Sequence, residues 1–251
     1  MNSKLFLSVV IPCYNEAENV KQGALAEVFN YLTNTGFTWE LIVSDDGSSD
    51  NSRELVRTAL AGRSNACLLE NPHGGKPAAI FAGIRKARGE YLLFTDMDQS
   101  TPLTELEKFL PFLSEYDVII GARRERKNFP LYRRIGSKVF RIIRKSILLG
   151  NINDTQCGFK VFRTALAERL FPQLQFFQAK SRVEGWKVTA FDVELLYLAQ
   201  ATGHAIKEIW VEWEDRDRTA GKQKSYLKES VEMFSQVLKV RLNAWRGLYK
   251  Q

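Results

Sequence analysis

The sequence predicts an α/β fold in which a central, mostly parallel sheet is flanked by helices. Three observations carry that expectation. Short apolar runs alternate with stretches of helical length and spacing, as in βαβ units. The runs are continuous rather than alternating, which suits strands covered on both faces. Each is followed by a short polar loop, and in parallel sheets ligands sit beyond the carboxyl ends of the strands.

In chain order, Leu5 to Ile11 read as the first strand, ended by Pro12, with Cys13-Tyr14-Asn15-Glu16 as the loop. Asn15 is placed to cap a helix from Glu18 to Leu32. Trp39 to Ser44 form a second strand, Asp45 to Asp50 a polar turn, and Ser52 to Leu60 a helix. Cys67 to Glu70 form a short strand, followed by the glycine-rich loop Asn71-Pro72-His73-Gly74-Gly75-Lys76-Pro77. A helix then runs from Pro77 to about Ala87, with Gly89 beyond it. Tyr91 to Thr95 make a fourth strand, Leu103 to Leu113 a helix, and Asp117 to Gly121 a strand. Later come a strand-like run at Phe159 to Phe162, a helix at Phe191 to Ala201 and a strand at Ala205 to Trp213. Tyr14, Glu16, Asp45, Asp46, Lys76, Asp96 and Asp98 are thereby expected at one edge of the sheet.

Asp96 and Asp98 end the fourth strand two residues apart. Side chains at that spacing leave a strand on the same side. Two carboxylates so placed repel, and the repulsion is relieved by protonation, by water or by a cation. Mg²⁺ or Mn²⁺, held by oxygen ligands and a substrate phosphate, is the chemically natural relief. The plainer alternative is a helix cap beside a solvated acid.

The 251 residues, with 45% hydrophobic and 26% charged, suit one large globular domain. Residues 1–225 are read as that domain, and 226–251 as a C-terminal amphipathic helix. The net charge of +7 favours an anionic partner. Cys13, Cys67 and Cys157 form no CxxC pair, so neither a zinc site nor a disulfide framework is expected. No signal peptide or membrane-spanning run is read, so membrane contact is expected to be peripheral. Between Arg123 and Lys145 ten basic residues interleave with apolar ones, which reads as a basic amphipathic helix. It suits either an anionic bilayer surface or an ordinary solvated face. No nucleic-acid-binding pattern accompanies the charge, so no nucleic-acid partner is expected. Leu227, Val231, Phe234, Leu238, Leu242, Trp245 and Leu248 form an apolar stripe suited to docking on the domain, pairing with a second copy or lying on a bilayer.

Val9-Val10-Ile11-Pro12-Cys13-Tyr14-Asn15-Glu16, Ile42 to Asp50, and Asp96-Met97-Asp98 occur in that order. Together they resemble the signatures of family-2 glycosyltransferases, in particular the polyprenyl- and dolichyl-phosphate sugar synthases. The resemblance extends from Ser8 to Ser225. Asp154 to Lys160 and Phe191 to Leu196 are similar to the dolichyl-phosphate beta-glucosyltransferase branch. The resemblance implies a glycosyltransferase A-type domain. It implies transfer of a hexose, glucose on the branch likeness, from UDP-glucose or another nucleoside diphosphate sugar to a polyprenyl or dolichyl phosphate. Such an enzyme would be peripheral at the cytoplasmic face of a membrane. Pro12, Tyr14, Glu16 and Asp45 would then surround the nucleoside, and Asp96 and Asp98 would hold Mg²⁺ or Mn²⁺. Arg123 with Arg133 or Arg134 would hold the acceptor phosphate. Arg218 and Lys224 would close over the donor diphosphate, and Lys76 is a further candidate phosphate contact. Met97 stands where the family usually has Ala, and Gln99-Ser100 also departs, which leaves a third protein ligand open.

Two other classes fit less well. A nucleotidyltransferase usually has a glycine-rich basic loop after its first strand, where this chain has Cys13-Tyr14-Asn15-Glu16. A non-catalytic lipid-phosphate-binding protein could keep the arginines but has no need of Asp96 and Asp98. The GxGxxG of a dinucleotide oxidoreductase is absent after the first strand.

Overall fold

The computed structural model describes residues 5–124, 149, 152–178, 191–218, 226–247 and 249. Arg133, Arg134 and Lys224 lie outside these residues, as does the expected basic helix beyond Arg124. Among the described residues, seven strands form one sheet in the order β3-β2-β1-β4-β6-β5-β7. They are β1 (Leu7–Cys13), β2 (Trp39–Asp45), β3 (Ala66–Glu70), β4 (Tyr91–Phe94), β5 (Val118–Arg123), β6 (Lys160–Arg163) and β7 (Ile206–Val211). β1 pairs parallel with β2 and β4, β2 with β3, and β5 with β7. β6 is antiparallel to both its neighbours, β4 and β5. It therefore begins at the edge where the other six strands end.

The helices are α1 (Ala17–Lys21), α2 (Ala24–Thr33), α3 (Ser52–Leu60), α4 (Lys76–Lys86), α5 (Thr164–Leu170), α6 (Gln175–Gln178), α7 (Phe191–Ala201) and α8 (Tyr226–Trp245). Alternate residues of the central strands feed two cores, one per sheet face. Val9, Ile11, Leu41, Val43 and Leu93 pack with Val28, Phe29 and Leu32 of α2 and Val56 of α3. Val10, Ile42, Leu92 and Phe94 pack with Ile80 and Ile84 of α4 and Leu195 and Leu198 of α7. A Cβ added at Gly83 would overlap the Val10 side chain, so α4 lies flush on β1. That close approach brings the first residue of α4, Lys76, to the reactive edge.

Four local expectations are corrected. Pro12 does not end β1, which continues to Cys13. Pairing with β4 stops at Val10, so no ladder bond is lost to the missing N–H of Pro12. The helix expected from Glu18 to Leu32 is broken at Gly23, whose φ of 90° ends α1. Asn15 does not cap that helix. Its side-chain oxygen accepts from the Ser49 N–H at 2.9 Å and the Asp50 N–H at 3.3 Å, tying the loop after β1 to the loop after β2. Leu103 to Leu113 form two 3₁₀ segments, Leu103–Lys108 and Leu110–Phe112. Pro111 cannot donate to the carbonyl four residues back, so a continuous α-helix is not available there.

At the positions whose side chains are described, the expected tail stripe faces outward, and the neighbouring Val237 and Val240 dock instead. Val237 and Val240 of α8 are buried, Val237 in the core shared with α7. Leu238, Leu242 and Trp245 are exposed, Trp245 at 72%. No helix among the described residues is long and apolar enough to cross a membrane.

Candidate active site

The loops that follow β1, β2, β3 and β4, the end of β5 at Arg123 and the loop that precedes β6 share one edge of the sheet. Asp96 and Asp98 follow β4 there. Lys76 reaches across from α4, its Nζ 2.5 Å from Asp96 Oδ1. Burial pushes the Asp96 carboxyl up, but Lys76, with Lys160 and Arg123 behind it, holds it below the ordinary carboxylate range. Burial works against the Lys76 charge, yet Asp96 and Asp192 hold its pKa up at about 12. Asp98 goes the other way. Burial and then the charge of Asp96 raise it, and the Ser100 N–H, donating to Asp98 Oδ1 at 2.8 Å, offsets only part of that. Among the described residues, one member of the acid pair is thus matched by a cation and the other is not.

The wall behind Asp96 is the loop entering β6. A Cβ added at Gly158 would overlap Asp96 Oδ2, so only glycine permits this approach. The loop is pinned at both ends by charge. At its start, Arg123 donates through Nε to Asp154 Oδ2 at 2.7 Å and through Nη2 to Oδ1 at 3.1 Å. Burial alone would raise Asp154, but Arg123 holds it at about 2. At its end, the fully buried Lys160 donates to the Cys157 carbonyl, and at 2.6 Å to Asp192 Oδ1 in the first turn of α7. Gly158→Ala is expected to cost on the order of a hundredfold in turnover, because a displacement near 1 Å at a reacting centre has that effect. Initial-rate measurements beside thermal unfolding check this. Turnover within threefold of wild type would show that Asp96 tolerates displacement.

On the other side of Lys76, the loops after β2 and β3 pack on each other. Asp45 is fully buried, and its carboxylate accepts from Arg53 Nε at 2.6 Å and from the Gly47 and Ser48 N–H groups. In this arrangement it shapes its own loop. Asp46 is equally buried and accepts from the Gly74 and Gly75 N–H groups, each at 2.8 Å, and lies 2.8 Å from His73 Nδ1. The Tyr14 ring stacks on His73, with centroids 4.5 Å apart. Glu16 Oε2 accepts from Asn19 Nδ2 at 2.5 Å, and the Glu16 N–H donates to Ser52 Oγ at 2.7 Å. Beyond β7 the chain is laced over the turn that holds Asp98. The Glu214 N–H donates to the Ser100 carbonyl, the Arg216 N–H to Ser100 Oγ and the Arg218 N–H to Asn19 Oδ1.

The structure therefore brings Lys76, Asp96, Asp98 and Arg123 into one charged cluster. Tyr14, Asp45 and Asp46 stand at the same edge beyond β1 and β2, and exposed Arg218 crosses toward α1. Lys160 was not among the expected site residues. Its signal was a lysine inside the apolar run Phe159 to Phe162. Burial raises all three thiols, that of Cys13 to about 12, so none is poised as a nucleophile.

Among the described residues, no group of three or more His, Cys, Asp or Glu side chains is set to hold a metal. The donors present are all oxygens. They are the two carboxylates and Gln99 Oε1, a buried atom between them in sequence and Ser100 that has no hydrogen-bond partner among the described residues. Such a set fits a hard divalent ion that completes its shell with water and a ligand's phosphates.

The family model for glycosyl transferase family 2 matches residues 8–171. A dolichyl-phosphate beta-glucosyltransferase of Trichomonas vaginalis is 31% identical over 260 residues, covering 97% of this chain and 74% of that protein. The dolichyl-phosphate beta-glucosyltransferase of Dictyostelium discoideum is 30% identical over 265 residues, covering 98% and 77%. Among solved structures, glucosyl-3-phosphoglycerate synthase from Mycobacterium tuberculosis, in complex with Mn²⁺, UDP and glucosyl-3-phosphoglycerate, aligns with a TM-score of 0.67 at 16% identity. The alignment covers 94% of this chain and 80% of that one. Mannosyl-3-phosphoglycerate synthase from Rubrobacter xylanophilus aligns with a TM-score of 0.67 at 15% identity, covering 98% and 76%. At these identities the structural likeness is one of fold.

Proposed function

This chain belongs to glycosyl transferase family 2 and is a glycosyltransferase with an A-type fold; from that premise we propose that it transfers glucose from UDP-glucose to a polyprenyl or dolichyl phosphate, with inversion at the sugar carbon. The observation that carries the reading is the contact of Lys76 with Asp96 at the sheet edge, beside Asp98, whose carboxyl burial and Asp96 raise. Departure of a nucleoside diphosphate places negative charge beside Lys76, and Asp96 and Asp98 would hold a divalent ion at the same place. When bound, Mg²⁺ or Mn²⁺ supplies Lewis acidity against that charge. Pro12, Tyr14, Glu16 and the loop shaped by Asp45 frame the nucleoside, and Arg218 with Lys224 covers the diphosphate.

The acceptor needs little activation. A phosphate monoester, with a second pKa near 6, is largely dianionic at neutral pH. Neither histidine is needed as a base. His73 packs on Tyr14, and His204 lies at the far edge of the sheet, 2.7 Å from Asp117. Asp154 fixes the plane of the Arg123 guanidinium and takes two of its nitrogens, and the remaining donors serve the acceptor phosphate together with Arg133 and Arg134. Exposed Leu238, Leu242 and Trp245, with Arg241 beside the Trp245 ring at 5.2 Å, suit peripheral contact with an anionic bilayer at its cytoplasmic face.

The test is to supply UDP-glucose, and a panel of other nucleotide sugars, with a short polyprenyl phosphate and Mn²⁺. UDP release and a β-linked glucosyl phosphate by NMR are expected. An α-linked product, or no release with any pair, would overturn the reading.

A further inference from the structure

We propose that His73 is a positioning residue for the nucleobase of the donor, acting through the Tyr14 ring and itself locked by Asp46. The inference rests on the donor reading above and extends it to a residue in a loop that the family signatures leave unexplained. His73 has two engagements. Its ring stacks on Tyr14 with an interplanar angle of 23°. Its Nδ1 lies 2.8 Å from Asp46 Oδ2 and 3.0 Å from the Asp46 carbonyl oxygen. Asp46 is fully buried, so the group that holds His73 is itself fixed.

The contact is built into both loops. Gly47 has a φ of 78°, and a Cβ there would meet the His73 backbone nitrogen at 2.7 Å. The loop after β2 therefore closes on the loop after β3 at His73 and at no greater distance. Asp46 also accepts from the Gly74 and Gly75 N–H groups, in the turn that immediately precedes Lys76. One carboxylate thus serves two ends of the same ligand. Through His73 it sets the aromatic surface at the nucleoside end, and through the glycine turn it sets the ammonium at the diphosphate end. Removal of the His73 ring disturbs the first function and spares the second.

The experiment is calorimetric titration of the full chain with UDP and, separately, with inorganic pyrophosphate, both with Mn²⁺ present. His73→Ala is expected to weaken UDP binding roughly five- to tenfold, the scale of one aromatic stacking contact, and to leave pyrophosphate binding within about twofold. His73→Phe, which keeps a ring against Tyr14, is expected to bind UDP within about threefold of wild type. Asp46→Asn is expected to weaken both ligands. Unchanged UDP binding in His73→Ala, or an equal loss for pyrophosphate, would overturn the proposal. If wild type binds pyrophosphate but gains nothing from the uridine, the donor reading fails instead.

Discussion

Asp98→Asn is expected to lower turnover by roughly a thousandfold, the scale seen when a preorganised electrostatic partner is removed from a reacting centre. The fold should not suffer. The Asp98 carboxylate accepts from the Ser100 N–H, and an asparagine carbonyl can accept the same bond. Stability should rise slightly instead. The Asp98 carboxyl is raised by burial and by Asp96, so its ionised form is disfavoured in the fold. A group raised in this way costs stability once pH exceeds its ordinary carboxylate value, and asparagine never ionises. The expected result is thus a dead enzyme with an equal or higher melting temperature. UDP release beside thermal unfolding at neutral pH reads both. More than a tenth of wild-type turnover would remove Asp98 from the reaction.

Lys160→Met is expected to destabilise the protein by about 3–5 kcal/mol, the usual cost of removing one partner from a buried ion pair. Lys160 is 0% exposed, and its loss strands both the Asp192 carboxylate and the Cys157 carbonyl. The double variant Lys160→Met/Asp192→Leu should recover about 2 kcal/mol of that, because a packed apolar pair needs no desolvation of charge. Urea unfolding of the single and double variants measures the difference. If the double variant is no more stable than the single one, the loss lies in the loop and not in the unpaired acid. Activity should stay low in both, since the Cys157 carbonyl that holds the wall behind Asp96 remains unbound.

Those two residues also mark what a sequence does and does not reveal. Asp98 was legible because its spacing from Asp96 is local and strand geometry converts that spacing into direction. β1, β2 and β4 were legible for a similar reason, since strands buried on both faces leave unbroken apolar runs. Lys160 was not legible. Nothing near Phe159 to Phe162 records that this strand runs against its neighbours, and only that reversal brings its first residue to the reactive edge. The role of Asn15 failed for a related reason, because its partners, Ser49 and Asp50, are contributed by a loop more than thirty residues away. Lys76 was expected at the sheet edge and lies there, yet its partner, twenty residues on, came only from the packing of α4 on β1.

The reversed strand has one more implication. Because β5 ends and β6 begins at the same rim, the connection between them has both of its ends at the cleft. Its two roots are clamped, by Asp154 on Arg123 and by Asp192 on Lys160, so its length and content can change without disturbing the strand register. A different connection could therefore be carried between those two clamps while the strands and helix that position Lys76, Asp96 and Asp98 are left as they are.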